Sequence, residues 1–160
     1  IALSVRQPWA HAIVMGWKPV ENRGWRRPNP GLTFRGSVAI HASMGMTRAE
    51  YAEAAAFMAG LGLTCPAPHE LTRGAIVGAA EVVDVVTDHA SPWFFGPRAL
   101  VLADAKPCRP RPCAGRLGFF WWNEDATVSA TMAKWMQPSA MPGARATEHV
   151  DLFYSPEARR

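Results

Sequence analysis

Between residues 18 and 25 the chain places Lys18, Glu21, Asn22, Arg23 and Trp25 within one short stretch. These types at this spacing suit work on a nucleotide. Lys is a point charge that binds phosphate, and desolvation can turn it into a base or nucleophile. Glu can pair with it and carry a proton. Arg offers a two-pronged donor to phosphate or to a base edge. Trp17 and Trp25 flank the charges, and a tryptophan ring can stack on a base. The same residues would equally make a salt-bridged corner under a tryptophan. If residues 19–23 are extended, Lys18, Val20 and Asn22 share one face and Glu21 and Arg23 the other. A bend at Pro19 would let Lys18 and Glu21 converge.

The elements that must hold this block follow from periodicity and punctuation. Residues 2–5 read as a strand. Pro8 sits near the first turn of a helix that Gly16 ends. A turn-rich loop covers 24–33, and a strand covers 35–42 with Val38 and Ile40 on one face and Ala39 and His41 on the other. Thr47 with Glu50 three residues on reads as a capping box, opening a helix that runs to about Gly60. Residues 74–87 are the longest strand-like run, with a bulge or bend expected at Gly78. Residues 98–103 read as a buried strand, 105–116 as a proline-rich connector, and 117–122 as an aromatic strand. A short helix is expected within 126–136. This is an α+β pattern, with a small mixed barrel-like sheet and no regular βαβ alternation.

Composition narrows the function classes. The chain has 160 residues, half of them hydrophobic at 49%, with 19% charged, which excludes a disordered polymer. No apolar stretch reaches the ~20 residues of a membrane helix. The chain opens on Ile1, so an initiator Met and any short leader are expected to lie outside it. Three cysteines fit a reducing, cytoplasmic setting better than a disulfide framework. The net charge of +4 is concentrated at one end: Arg6, Lys18, Arg23, Arg26, Arg27 and Arg35 stand against Glu21 alone in the first 36 residues. That distribution suits a polyanion-facing edge or a solvated basic loop. Of seven tryptophans, Trp9, Trp17 and Trp25 fall in the same segment.

Three motifs together make the chain resemble the ASCH domain family, whose fold is related to PUA domains. They are Leu3-Ser4-Val5-Arg6-Gln7-Pro8-Trp9-Ala10, then Gly16-Trp17-Lys18-Pro19-Val20-Glu21-Asn22-Arg23, then Arg35-Gly36-Ser37-Val38-Ala39-Ile40-His41-Ala42. The run Gly74–Val85 looks like the family's next strand. The resemblance covers about residues 2–122. It implies a PUA-like mixed β-barrel of five or six strands flanked by helices, with an ASCH domain at 1–125. Residues 126–160 would be an extension packed on it or partly disordered. It also implies a cleft around Lys18, Glu21 and Arg23 that binds RNA or a modified nucleoside or nucleotide. Some members of the family hydrolyse N4-acetylcytidine and others are linked to single-stranded RNA cleavage. In the amidohydrolase-type members a Lys is followed three residues later by a Thr. Lys18 matches the Lys, and Glu21 stands where the Thr would be. Glu81 is the nearest match for the glutamate supplied from elsewhere.

Taken together, the expected catalytic residues are Lys18, Glu21 and His41. The expected ligand contacts are Gln7, Trp17, Lys18, Arg23, Trp25, Arg26 and Ser43. In a hydrolase, Asn22, Ser43 or His41 would steady an oxyanion. His41 reads equally as a satisfied structural histidine, and Trp9 as a core residue. The loop Ser91-Pro92-Trp93-Phe94-Phe95 could instead make the chain a protein-interaction domain if Trp93 is exposed. No cofactor motif and no metal site is expected, since Cys65, His69, Cys108 and Cys113 match no zinc spacing.

Overall fold

The computed structural model describes residues 1–138. Six strands form one curled sheet, joined by two α-helices. The strands are β1 (Ala2–Val5), β2 (Val20–Arg23), β3 (Gly36–Ala42), β4 (Ala75–Val86), β5 (Arg98–Pro112) and β6 (Phe119–Phe120). The helices are α1 (Trp9–Val14) and α2 (Arg48–Gly60). The sheet order is β2-β5-β4-β3-β1-β6. Strand β1 runs parallel to β3; the other neighbours are antiparallel. The architecture is α+β, and where a small mixed β-barrel of five or six strands was expected the six strands form a curled, half-barrel sheet.

The curl brings the two ends of the sheet together. The Arg23 guanidinium, on β2, donates to the Ser4 carbonyl of β1 at 2.8 Å. Trp25, just past β2, lies 5.6 Å from Phe119 of β6 between ring centroids. Leu3, Ile13, Val38, Ile40, Val82 and Leu100 fill the interior. Each such side chain stabilises the fold by about 1.5–3 kcal/mol.

Both helices begin and end where sequence logic places them. The Gln7 carboxamide accepts from the His11 N–H at 3.0 Å and donates to the Thr72 carbonyl at 2.8 Å, pinning the start of α1 to a distant loop. Gly16, at φ +75°, ends α1 and reverses the chain. The N–H groups of Trp17 and Lys18 then both donate to Ala12 O, which turns Lys18 inward. At α2, Thr47 and Glu50 form the reciprocal capping box.

Three expectations need correction. The segment read as a proline-rich connector continues β5 as far as Pro112. Beyond Leu102, whose N–H still donates to the Pro19 carbonyl, this strand pairs with β4 alone, so Pro107, Pro110 and Pro112 sit on a free edge where a missing N–H breaks no ladder. The aromatic strand is only two residues long. Gly118, at φ +69°, turns the backbone before it, and Trp121 is 81% exposed beyond it. Within 126–136 the helix is a single 3-10 turn at Lys134–Met136, with Met136 packed on Met46 and Leu71. The rest of the expected extension, 139–160, lies outside the described residues.

Candidate functional site

The bend at Pro19 brings Lys18 and Glu21 together, as the spacing allowed. Lys18 Nζ lies 2.6 Å from Glu21 Oε2 and donates to the Val20 carbonyl at 2.5 Å. The other carboxylate oxygen, Oε1, lies 3.1 Å from the Arg23 guanidinium. Glu21 is therefore bracketed by two cations, and Lys18 is only 3% exposed. An ammonium has three N–H donors. Two are used here, so one remains for a ligand.

This pair forms the floor of a cavity of about 370 Å³. That is near the lower end of the range for small-molecule sites. The walls are aromatic: Trp9 from the start of α1, Phe57 from α2 and Phe95 from the β4–β5 loop. Asn22 and Glu53 complete the lining. Trp9 and Phe57 meet edge to face at 6.0 Å and 65°, and Phe57 and Phe95 at 5.2 Å and 67°. The Asn22 amide serves the wall: it donates to Trp93 O and accepts from Phe95 N–H, both at 2.8 Å. Asn22 thus holds the aromatic loop in place, and one of its two amide N–H donors is not used in these bonds.

Several residues expected at the site lie elsewhere. His41 is on the far side of a register shift between Ile40 and His41, which turns its ring inward. There it bonds Ser4 Oγ at 3.0 Å and Cys113 O at 3.2 Å, beneath the edge of Phe120. Gln7 is buried as the α1 anchor described above. Trp17 packs edge-on against His11. Trp25 lies under the Arg23 guanidinium and against Gly31, lining a second cavity with Phe34 and Phe119. Arg26 is exposed in the 24–33 loop, away from the floor. Ser43 Oγ is buried without a partner and does not line the cavity. Glu81 accepts from Ser37 Oγ on the β3–β4 surface. The basic excess is also less available than its linear density suggests. Arg6 pairs with Glu50, Arg23 with Glu21, and Arg35 with Asp84.

Trp93 is buried at 3% between Trp9 and Phe57, so the aromatic loop packs inward and only Phe95 stands out, at 60%. This removes the exposed anchor that a protein-interaction reading required. Sequence reasoning missed Glu53 and Phe57 and assigned Trp9 to the core. The available signal was their spacing: Glu53 and Phe57 are one turn apart on a firmly capped helix and share a face.

His41 leaves a measurable trace. Burial lowers its pKa below the ordinary 6.5, partly offset by the bond to Cys113 O. Between the native and unfolded values the unfolded chain binds more protons, so stability rises with pH. The contribution is complete above about pH 6.5 and falls away as the pH drops from there through the native value. Burial shifts His11 the same way. The urea midpoint is expected to fall between about pH 7.5 and about pH 5, with a shallower fall in His41→Gln. An unchanged slope in that variant would remove His41 from the account.

The fold and the motif order define the class, and the sequence comparison agrees. Residues 3–95 match the model of the ASCH domain. This chain belongs to the ASCH domain family. Among solved structures it is similar to a single-substitution mutant of the ZmASCH protein from Zymomonas mobilis. The two are 22% identical, with 69% of this chain and 72% of that one covered and a TM-score of 0.36. No curated protein matches. No helix among the described residues is long and apolar enough to cross a membrane, and no cluster of three metal-ligating side chains occurs among them.

Proposed function

We propose that this chain binds a nucleobase, in RNA or as a modified nucleoside, in the cavity above Lys18 and Glu21. The observation that carries the reading is a cavity whose aromatic walls meet at steep angles over a floor where Lys18 keeps one unused N–H. A base stacked on Trp9 or Phe57 turns its edge to that donor, and a ring carbonyl is a suitable acceptor. Family membership supports a nucleic-acid partner. Arg26 and Arg27 stand without ion pairs among the described residues and would meet phosphates of a longer strand. Two such contacts give a shallow salt slope, near one to two phosphates' worth, and a steeper one would mean that Lys106, Arg109 or Arg116, also without ion pairs among the described residues, engage the strand. Equilibrium binding of nucleosides and short single-stranded RNA at two salt concentrations tests this. Saturable binding of a nucleoside supports it, and failure of every nucleoside and RNA to bind rejects it.

A second reading rests on the 2.6 Å Lys18–Glu21 contact at the floor. Lys18 would polarise an amide carbonyl and Glu21 would carry the proton from water to the departing amine. N4-acetylcytidine would then yield acetate and cytidine. Chromatography for free cytidine checks the activity, and turnover persisting in Lys18→Ala would reject the mechanism.

A further inference from the structure

Glu53 is the one carboxylate at this cavity that makes no ion pair among the described residues. It stands exposed at the rim, one helical turn before Phe57. The charges below it are already spent on each other: Lys18 on Glu21, and Glu21 on Arg23. Arg23 lies behind Glu21 and does not line the cavity, so among the lining side chains Glu21 offsets Lys18 and Glu53 is the unmatched charge. Around it, the rings of Trp9, Phe57 and Phe95 meet at steep angles, so a flat guest stacked on one presents its edge to another. Aromatic walls with an unpaired carboxylate attract a cation, because ring faces carry negative potential. The same carboxylate repels a phosphate placed inside.

We propose that the cavity selects a nucleobase carrying a positive charge, a ring-methylated cationic base of the 3-methylcytosine type, and that Glu53 sets this preference. The proposal rests on the base-binding reading above and narrows it to a substrate class. In 3-methylcytosine the charge is spread over the ring and the exocyclic amine, which match the aromatic walls and Glu53. Its remaining carbonyl is an acceptor for the free Lys18 N–H. Unmodified cytosine offers the carbonyl and the amine without the charge.

Isothermal titration of the whole chain near pH 7 with cytidine, 5-methylcytidine and 3-methylcytidine separates charge from methyl bulk. We expect 3-methylcytidine to bind about tenfold tighter than either neutral nucleoside. In Glu53→Gln, with circular dichroism confirming the fold, the ratio should fall to within about twofold of unity. A short single-stranded RNA bearing one 3-methylcytosine, set against its unmodified twin, tells a strand ligand from a free nucleoside. The strand is the source if the methylated RNA outcompetes the nucleoside; the free nucleoside is if it does not. Equal affinities for 3-methylcytidine and 5-methylcytidine overturn this proposal and leave base binding standing. Binding of no nucleoside or RNA overturns both. A preference that survives Glu53→Gln overturns the role of Glu53. A trimethyl-lysine peptide that binds as tightly as 3-methylcytidine overturns the nucleobase assignment in favour of a protein ligand.

Discussion

Lys18→Met is expected to weaken nucleoside binding by between about tenfold and a hundredfold while the chain still folds. The binding effect follows from the single N–H that Lys18 keeps free. A hydrogen bond from a charged donor contributes about 1.5–3 kcal/mol, which spans that range. Methionine preserves most of the apolar stem, so the walls keep their support. The stability effect is separate. Removing one partner of a buried pair costs about 3–5 kcal/mol when the other is left uncompensated. Glu21 is not left so, because Arg23 remains 3.1 Å from its other oxygen. A loss of about 2–3 kcal/mol is therefore expected, read as a lower urea midpoint with an unchanged slope. Adding Glu21→Gln should cost less than the sum of the single changes, by about 1–2 kcal/mol. If Lys18→Met binds nucleosides as the parent does, the floor does not touch the ligand and the proposed function loses its centre.

The parts of this protein that are local were readable in its sequence. Thr47 and Glu50 announce α2, and Gly16 announces the end of α1, because each cap is complete within a few residues. The Lys18–Glu21 contact was also in reach, since a bend at Pro19 was enough to make it. What escaped is what depends on neighbours far along the chain. The long β5 was hidden by prolines that are harmless only because β2 leaves that edge unpaired. His41 was placed one face off by a bulge that alternation cannot announce. The cavity walls come from positions 9, 57 and 95, which no local pattern joins. Charge density misled for the same reason. Arg6 and Arg35 look free beside other arginines in the chain, but are matched in space by Glu50 and Asp84.

Gly78→Ala should lower stability by about 3 kcal/mol, at the upper end for added core volume. For a domain of this size that corresponds to roughly 10 °C in Tm. A Cβ at Gly78 would collide with the Lys106 carbonyl of β5 and with the Val14 side chain of α1. Neither neighbour gives way easily. The carbonyl is backbone in a strand paired with β4, where Gly78 faces Pro107 at a shift of register. Val14 is packed in the main core. The strain should therefore pass into α1, the short helix that carries Trp9 at one end and feeds Lys18 at the other. Relief means moving α1 outward, and that shifts one cavity wall and the floor together. Ligand affinity should fall along with Tm, although Gly78 touches no part of the cavity. Gly60→Ala is the control. Nothing lies within 4 Å of its added Cβ, and the helical position favours alanine by up to about 1 kcal/mol. It should leave Tm unchanged or raise it, and leave binding intact. If Gly78→Ala loses stability but keeps full affinity, α1 has stayed in place. The strain has then been taken up by β5, and the coupling between sheet packing and cavity shape is absent.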